Sequence, residues 1–473
     1  MILARMLTKA DFGISAVCSV IISLLEFTGK MGVARAIVQD KRGDQVSFLA
    51  SAHFLQFSAG LFSGVLIFAL ADPLSSFFGL NGLSNLIRAL AIMPVLNGIC
   101  HLDIARYTRE LAFWPNVICE TVPQMIMTIA AWPMAHWLQD YRAMVVLTFA
   151  KGIMSCVLTH VVASTPYRWR IDREDLRRLF RFTWPLLLNG FLIFGIQQGD
   201  QAVVGRYFSL SDLGVYAAAA SLTFGIGVIF NTMLGQLFIP VLAKKQDDPE
   251  AFGRLYRRTA QLVAALSSTY ALTLIVAGEA MMVLVFGKKF AGGGVILAWM
   301  AGANAFRMLR ITPTMAALAK GDSKNMLYCN LFRATGFIPA FLAAHSGQPL
   351  WMIAGSGLVG ESFAFFGSFW LLQRRDKVPY RWSMVPASLG CIAIALAGLS
   401  VMAGMYRVAA PIAIASGILG AAVAGSLILF AFPESREELG RLRELKGRFF
   451  RRGEPPTPDL QPVPIEKTPG PVS

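Results

Sequence analysis

The sequence predicts an all-α protein of the polytopic helical membrane class, and three observations carry the prediction. Apolar residues come in repeated runs of about 20 or more, the length that crosses a bilayer as a helix. Hydrophobic residues make up 55% of the 473 and charged residues 15%, well below the roughly one quarter usual in soluble domains. The basic residues lie between the runs, in greater number on alternate sides, which is how membrane proteins are oriented.

Thirteen spans are expected, near 12–37, 49–71, 84–104, 112–135, 143–164, 183–205, 213–241, 261–286, 294–318, 325–345, 350–372, 384–405 and 409–431. Prolines 94, 115, 123, 185, 313 and 339 fall inside or near the starts of these runs, where a membrane helix tolerates them as kinks. With the N-terminus outside, the inner loops and the C-terminal tail hold 29 Lys and Arg against seven outside. That bias supports the count, because one miscounted helix would scramble it. Residues 433–454 form an amphipathic basic helix suited to the anionic inner leaflet, and the proline-rich stretch from Pro455 is expected to be disordered.

The stretch organising the chain is 189–216, where an apolar run carrying Asp200 ends in a short turn and re-enters the membrane. That turn repeats the start of the sequence. ARMLTKADFGISA at 4–16 aligns with GRYFSLSDLGVYA at 205–217 at a constant offset, matching Arg5 to Arg206, Asp11 to Asp212 and Gly13 to Gly214. Six spans separate the two turns, so both lie on one side, as a parallel duplication requires. The following loops, DKRGD at 40–44 and KKQDD at 244–248, are also alike. The organisation expected is a transmembrane lobe at 1–164, a basic cytoplasmic linker at 165–181 and a second lobe at 182–372. Two additional helices at 384–431 and the tail at 432–473 follow. Arg206 is preceded by a full span and Arg5 by four residues, so the repeat predicts a further helix of about 20 residues upstream of Met1. The parent plan is then six plus six plus two helices.

Several function classes are excluded or disfavoured. No phosphate-binding GxxxxGK[ST], HExxH, GxSxG or paired-cysteine zinc pattern occurs. The five histidines are scattered, and the six cysteines lie in or beside apolar runs as small core residues. A net charge of +15 could suggest nucleic acid, but its placement between spans answers to membrane orientation instead. The short loops leave no room for a soluble catalytic domain, and no cofactor is implied.

What remains is charge inside the membrane, where each charged group costs about 2.5–3.5 kcal/mol and must face a cavity or a partner. Arg307 and Arg310, spaced i, i+3 ahead of Pro313, put two guanidinium forks on one face, and such forks suit phosphate oxygens. The functional reading is an anionic headgroup in a central cavity. The structural reading is pairing with Glu361 or Asp200 to lock two helices. Lys151 and Arg333 are further mid-membrane cations. Asp200, Glu26, Glu120 and Glu361 are candidates for ion coupling or gating. Against that, Glu26 and Lys30 can pair on their own helix, and Asp200 can serve as an interhelical anchor.

These stretches resemble the Wzx-type lipid-linked oligosaccharide flippases, the polysaccharide-synthesis family of the multidrug/oligosaccharidyl-lipid/polysaccharide (MOP) exporter superfamily. ARMLTKADFG leading to GVARAIVQDKRGD, and GDQAVVGRYFSLSDLGVYAAAASL running into LFIPVLAKKQDD, carry the resemblance, which covers most of residues 1–431. It implies two six-helix lobes around a cavity opening alternately to each side of a bacterial inner membrane. It implies a polyprenyl-pyrophosphate-linked oligosaccharide, or a related lipopolysaccharide or exopolysaccharide precursor, as cargo, with polysaccharide assembly proteins as partners. A cationic cavity in that family suits Arg307, Arg310, Lys151 and Arg333, and proton or sodium coupling is known in the superfamily. The rival readings are a drug or cation antiporter of the same superfamily and an intramembrane glycan polymerase or ligase.

Overall fold

The structure, a computed structural model, describes residues 2–80, 82–322, 324–379 and 381–402, with seven helical residues between 417 and 426. Among the described residues the regular structure is entirely helical. Twelve long elements run in chain order: α1 Lys9–Gln39, α2 Val46–Ala69, α3 Ser84–Ile99, α4 Trp114–Leu138, α5 Arg142–Val162 and α6 Arg173–Tyr207. They continue with α7 Leu210–Ala243, α8 Pro249–Val276, α9 in two pieces (Gly294–Leu309 and Ile311–Ala319), α10 Lys324–His345, α11 Leu350–Asp376 and α12 Arg381–Met402. Seven are long and apolar enough to cross a membrane, or eight if the bent pair of α3 with Asp103–Arg109 is one span. The protein is therefore a multi-pass membrane protein. Twelve of the thirteen expected spans coincide with helices, whereas 409–431, apart from those seven residues, and the tail 432–473 lie outside the described residues.

Two boundaries differ from expectation for one reason. α6 begins at Arg173 rather than near 183, and α8 begins at Pro249 rather than near 261. Asp172 and Asp248 cap these helices, each side chain accepting two amide N–H groups of the first turn. The added turns are polar and extend the helices beyond the apolar stretch, so hydropathy does not see them. The segment expected as the end of that span, 278–286, is a separate short helix after a break at Ala277.

Proline placement explains the other breaks. A proline removes the N–H that would reach back four residues and its ring clashes with that carbonyl. α3 breaks at Ala91 ahead of Pro94, and α9 at Arg310 ahead of Pro313. α10 breaks before Gly336, ahead of Pro339. Pro123 and Pro185 stay inside unbroken helices, and Pro115 sits harmlessly in a first turn.

The repeat read from sequence has a counterpart in local structure. Thr8 and Asp11 form a capping box at the start of α1, and Ser209 and Asp212 form the same box at the start of α7. These two helix starts pack on each other reciprocally. A methyl group added at Gly13 would overlap the carbonyl of Leu210, and one added at Gly214 would overlap that of Lys9. Residue i meeting j while the equivalent of i meets the equivalent of j is the mark of a two-fold contact. Only glycine admits this approach. Around it the core joins Val17 and Val20 of α1, Val204 of α6, Ala217 to Ala220 of α7 and Leu297 and Ala301 of α9.

Candidate functional site

Two half-helix ends deliver the buried charge of the second half of the chain. Arg307 lies in the last turn of the first piece of α9, Arg310 at the break itself, and Arg333 in the last turn of the first piece of α10. A helix C-terminus carries partial negative charge, which favours a guanidinium there. α10 and α11 approach closely because Gly336 faces Gly360. A methyl group at Gly360 would overlap the carbonyl of Arg333, and one at Gly336 would lie 3.0 Å from that of Ser356. Small residues at such a crossing let membrane helices close up, and here they set Arg333 beside Glu361.

Glu361 is the common partner. Arg307 Nε donates to Glu361 Oε1 at 2.7 Å and Arg333 Nε to the same oxygen at 2.8 Å. Arg310 Nε stands 3.8 Å from Glu361 Oε2, an ion pair too long for a hydrogen bond. Arg310 Nε and Glu361 Oε2 are both buried without a hydrogen-bond partner among the described residues. Three cations share one carboxylate, so the node carries two positive charges in excess. The pairing with Glu361 considered from sequence is present, yet it neutralises one arginine of three.

The excess faces space. A cavity of about 430 Å³ between α6, α7, α9 and α10 is lined by Arg307, Arg310 and Arg333 together with Gln197, Gln201 and Asn330. Arg307 also lies over the ring of Phe224, 4.9 Å from its centroid, a cation–π contact that orients the guanidinium. A smaller cavity of about 70 Å³, sharing Phe224, Arg307 and Arg333 with the larger one, is also lined by Asp200, Tyr216 and Glu361. In it Tyr216 Oη donates to Asp200 Oδ2 at 2.9 Å. The geometry can hold an anion with several oxygens in the larger cavity while an acid sits behind the arginines.

The remaining sequence candidates lie elsewhere. Lys151 lines a separate cavity of about 650 Å³ between α1, α4 and α5, with Ser15, Gln124 and Thr148. Glu120 is on an exposed face of α4 and lines none of these three cavities. The side chains of Glu26 and Lys30 lie outside the described residues. Sequence reasoning missed Asn231, Thr314 and Asn330 in the cavity wall. An amide or hydroxyl inside an apolar run is the signal that could have found them.

The model of a family described as "Polysaccharide biosynthesis protein" matches residues 2–292, well over half of the chain. The chain belongs to the polysaccharide biosynthesis protein family. Among this family member's relatives is the succinoglycan biosynthesis transport protein ExoT of Rhizobium meliloti (strain 1021). It is 22% identical over 406 residues, covering 85% of this chain and 81% of that protein. The lipopolysaccharide biosynthesis protein WzxC of Escherichia coli (strain K12) is also 22% identical, over 391 residues, covering 82% and 77%. Among solved structures, the lipid II flippase MurJ in an inward closed conformation superposes with a TM-score of 0.68 at 12% identity, over 89% of this chain and 93% of that one. At that identity the likeness is one of fold, and it covers more of the chain than the family match.

Proposed function

We propose that this polysaccharide biosynthesis protein is a membrane transporter that flips a lipid-linked glycan precursor bearing a diphosphate across the bacterial inner membrane. The observation that carries the reading is the node of Arg307, Arg310 and Arg333 around Glu361, open to a cavity of about 430 Å³. Two uncompensated guanidinium charges in a membrane interior are stable only with an anion or water beside them. A diphosphate supplies both the charge and the oxygens that accept from planar guanidinium forks. Relatives named for succinoglycan transport and lipopolysaccharide biosynthesis support a glycan cargo.

In this reading residues 1–164 and 182–372 are two lobes that tilt about the Gly13–Gly214 contact, exposing the cavity to each side in turn. Asp200 couples or gates the movement through Tyr216, with a proton or sodium ion as the driving species. The positive-inside bias supports a cytoplasmic C-terminus, on the side where assembly proteins would hand over the glycan. A drug or cation antiporter of the same fold is disfavoured by a cavity whose charge is cationic. Deleting the gene is expected to abolish surface polysaccharide and accumulate its lipid-linked repeat on the inner leaflet. Unchanged polysaccharide together with a new drug sensitivity would point to the antiporter.

A further inference from the structure

α6 is longer than the membrane it crosses. Its 35 residues extend about 52 Å at 1.5 Å per residue, against a hydrocarbon core of about 30 Å. About 20 residues counted back from Arg206 fill that core, so 173–184 emerge on the inner side, with Trp184 at the headgroups and Arg181, Arg177 and Arg173 successively farther out. This segment has two different faces.

The inner face is fully answered by the first half of the chain. Arg42 pairs with Glu174 at 2.7 Å and Asp175 at 3.1 Å, while Arg178 pairs with Asp40 at 2.5 Å. Leu179 is buried between them. Burial pushes the Asp40 carboxyl up, but the Arg42 amide and the Arg178 guanidinium outweigh it and hold the group below the usual carboxylate range. The outer face carries Arg173, Arg177, Phe180, Arg181 and Trp184, spaced i, i+4, i+7, i+8 and i+11, which is one stripe of a helix. All five are exposed, Phe180 by 62% and Trp184 by 50%. None of the three arginines makes an ion pair among the described residues. The segment's acids are turned to the other face, so the stripe keeps three positive charges.

We infer that the outer face of α6 over 173–184 is a binding surface for anionic phospholipid headgroups of the membrane the protein spans. Each element of the stripe suits that occupant. Guanidinium forks donate to phosphodiester oxygens, and Phe180 and Trp184 sit where aromatic rings anchor at the boundary of chains and headgroups. A basic face leaving an anionic leaflet is attracted by about 1 kcal/mol per charge nearest the surface, less for Arg173 at its far end. A soluble acidic partner would leave the two exposed rings without a role. Because Arg42 and Arg178 tie this segment to the loop after α1, headgroups bound here brace the junction between the two halves of the chain.

The experiment reconstitutes the full chain in vesicles and measures, by spin resonance, how strongly spin-labelled phosphatidylglycerol and phosphatidylcholine are held at the protein surface. The wild type is expected to retain phosphatidylglycerol preferentially. Arg173→Gln/Arg177→Gln/Arg181→Gln should lower that preference by roughly threefold or more. Arg173→Lys/Arg177→Lys/Arg181→Lys should keep most of it and show that the segment folds. Lys244→Gln/Lys245→Gln/Lys324→Gln, of equal charge loss, should leave it unchanged. The inference is overturned if the wild type has no preference, if the glutamine variant retains it, or if the Lys244 control loses as much. The readout needs no transport, so it stands apart from the flippase reading.

Discussion

Two breaks between helices, one in each half of the chain, gather polar side chains in opposite ways. After α3, between Ile99 and Asp103, the chain turns beside three histidine rings packed edge to face. His53 and His101 lie 4.7 Å apart, and His101 and His160 lie 5.4 Å apart, with Tyr167 against all three. His53 Nε2 accepts the Leu102 N–H at 3.1 Å and His101 Nδ1 accepts the Asp103 N–H at 3.0 Å, so neutral rings cap the backbone groups that the break frees. Asp103 accepts Ser164 and Thr165 amides and pairs with Arg106. After the first piece of α9 the chain instead gathers three arginines and Glu361. His160 and Glu361 even fall at the offset of the repeat. The first node is balanced by its own chain, whereas the second is left two charges in excess beside a cavity. On the reading proposed above, the first cluster is a knot and the second a binding site. The lesson is that location in the fold does not assign the role; the charge balance does.

Removing the central acid of each node tests the contrast with the largest effect expected. Glu361→Ala leaves three buried guanidinium groups without a counter-charge, and should cost about 3–5 kcal/mol of stability, read as a lowered Tm in detergent. Added pyrophosphate should recover part of that loss. Asp103→Ala breaks several hydrogen bonds and should cost about 1–3 kcal/mol, with no recovery by pyrophosphate. Recovery of both variants, or of neither, would remove the distinction between knot and site. The smallest effect lies where the halves are alike. Thr8→Ala and Ser209→Ala each delete one capping box and should cost about 1 kcal/mol apiece. Widely unequal losses would mean that the two helix starts are equivalent in geometry but not in load.

Much of the fold was legible because a lipid solvent forces apolar runs of fixed length, and such runs are visible in any window of sequence. The turns at Thr8 and Ser209 were legible because a capping box is local chemistry. The polar extensions of α6 and α8 were not, since beyond the membrane a capped charged helix has no hydropathy signature. Nor does composition tell that Pro94, Pro313 and Pro339 break their helices while Pro123 and Pro185 do not, because packing partners decide whether the freed carbonyl is satisfied. At the site, the i, i+3 spacing put Arg307 beside Arg310, and Glu361 was foreseeable as a partner. That Arg333 joins them and Lys151 does not is set by the Gly336–Gly360 crossing and by Lys151 lying on α5, both tertiary facts.

The central claim is that the arginine node binds a diphosphate, and calorimetric titration of the purified protein with a short-chain polyprenyl diphosphate tests it most directly. Binding by the wild type, weakened at least tenfold, about 1.4 kcal/mol, in Arg307→Gln/Arg310→Gln and unchanged in Lys151→Gln, is the result predicted. Equal affinity in the wild type and the double arginine variant would contradict the account.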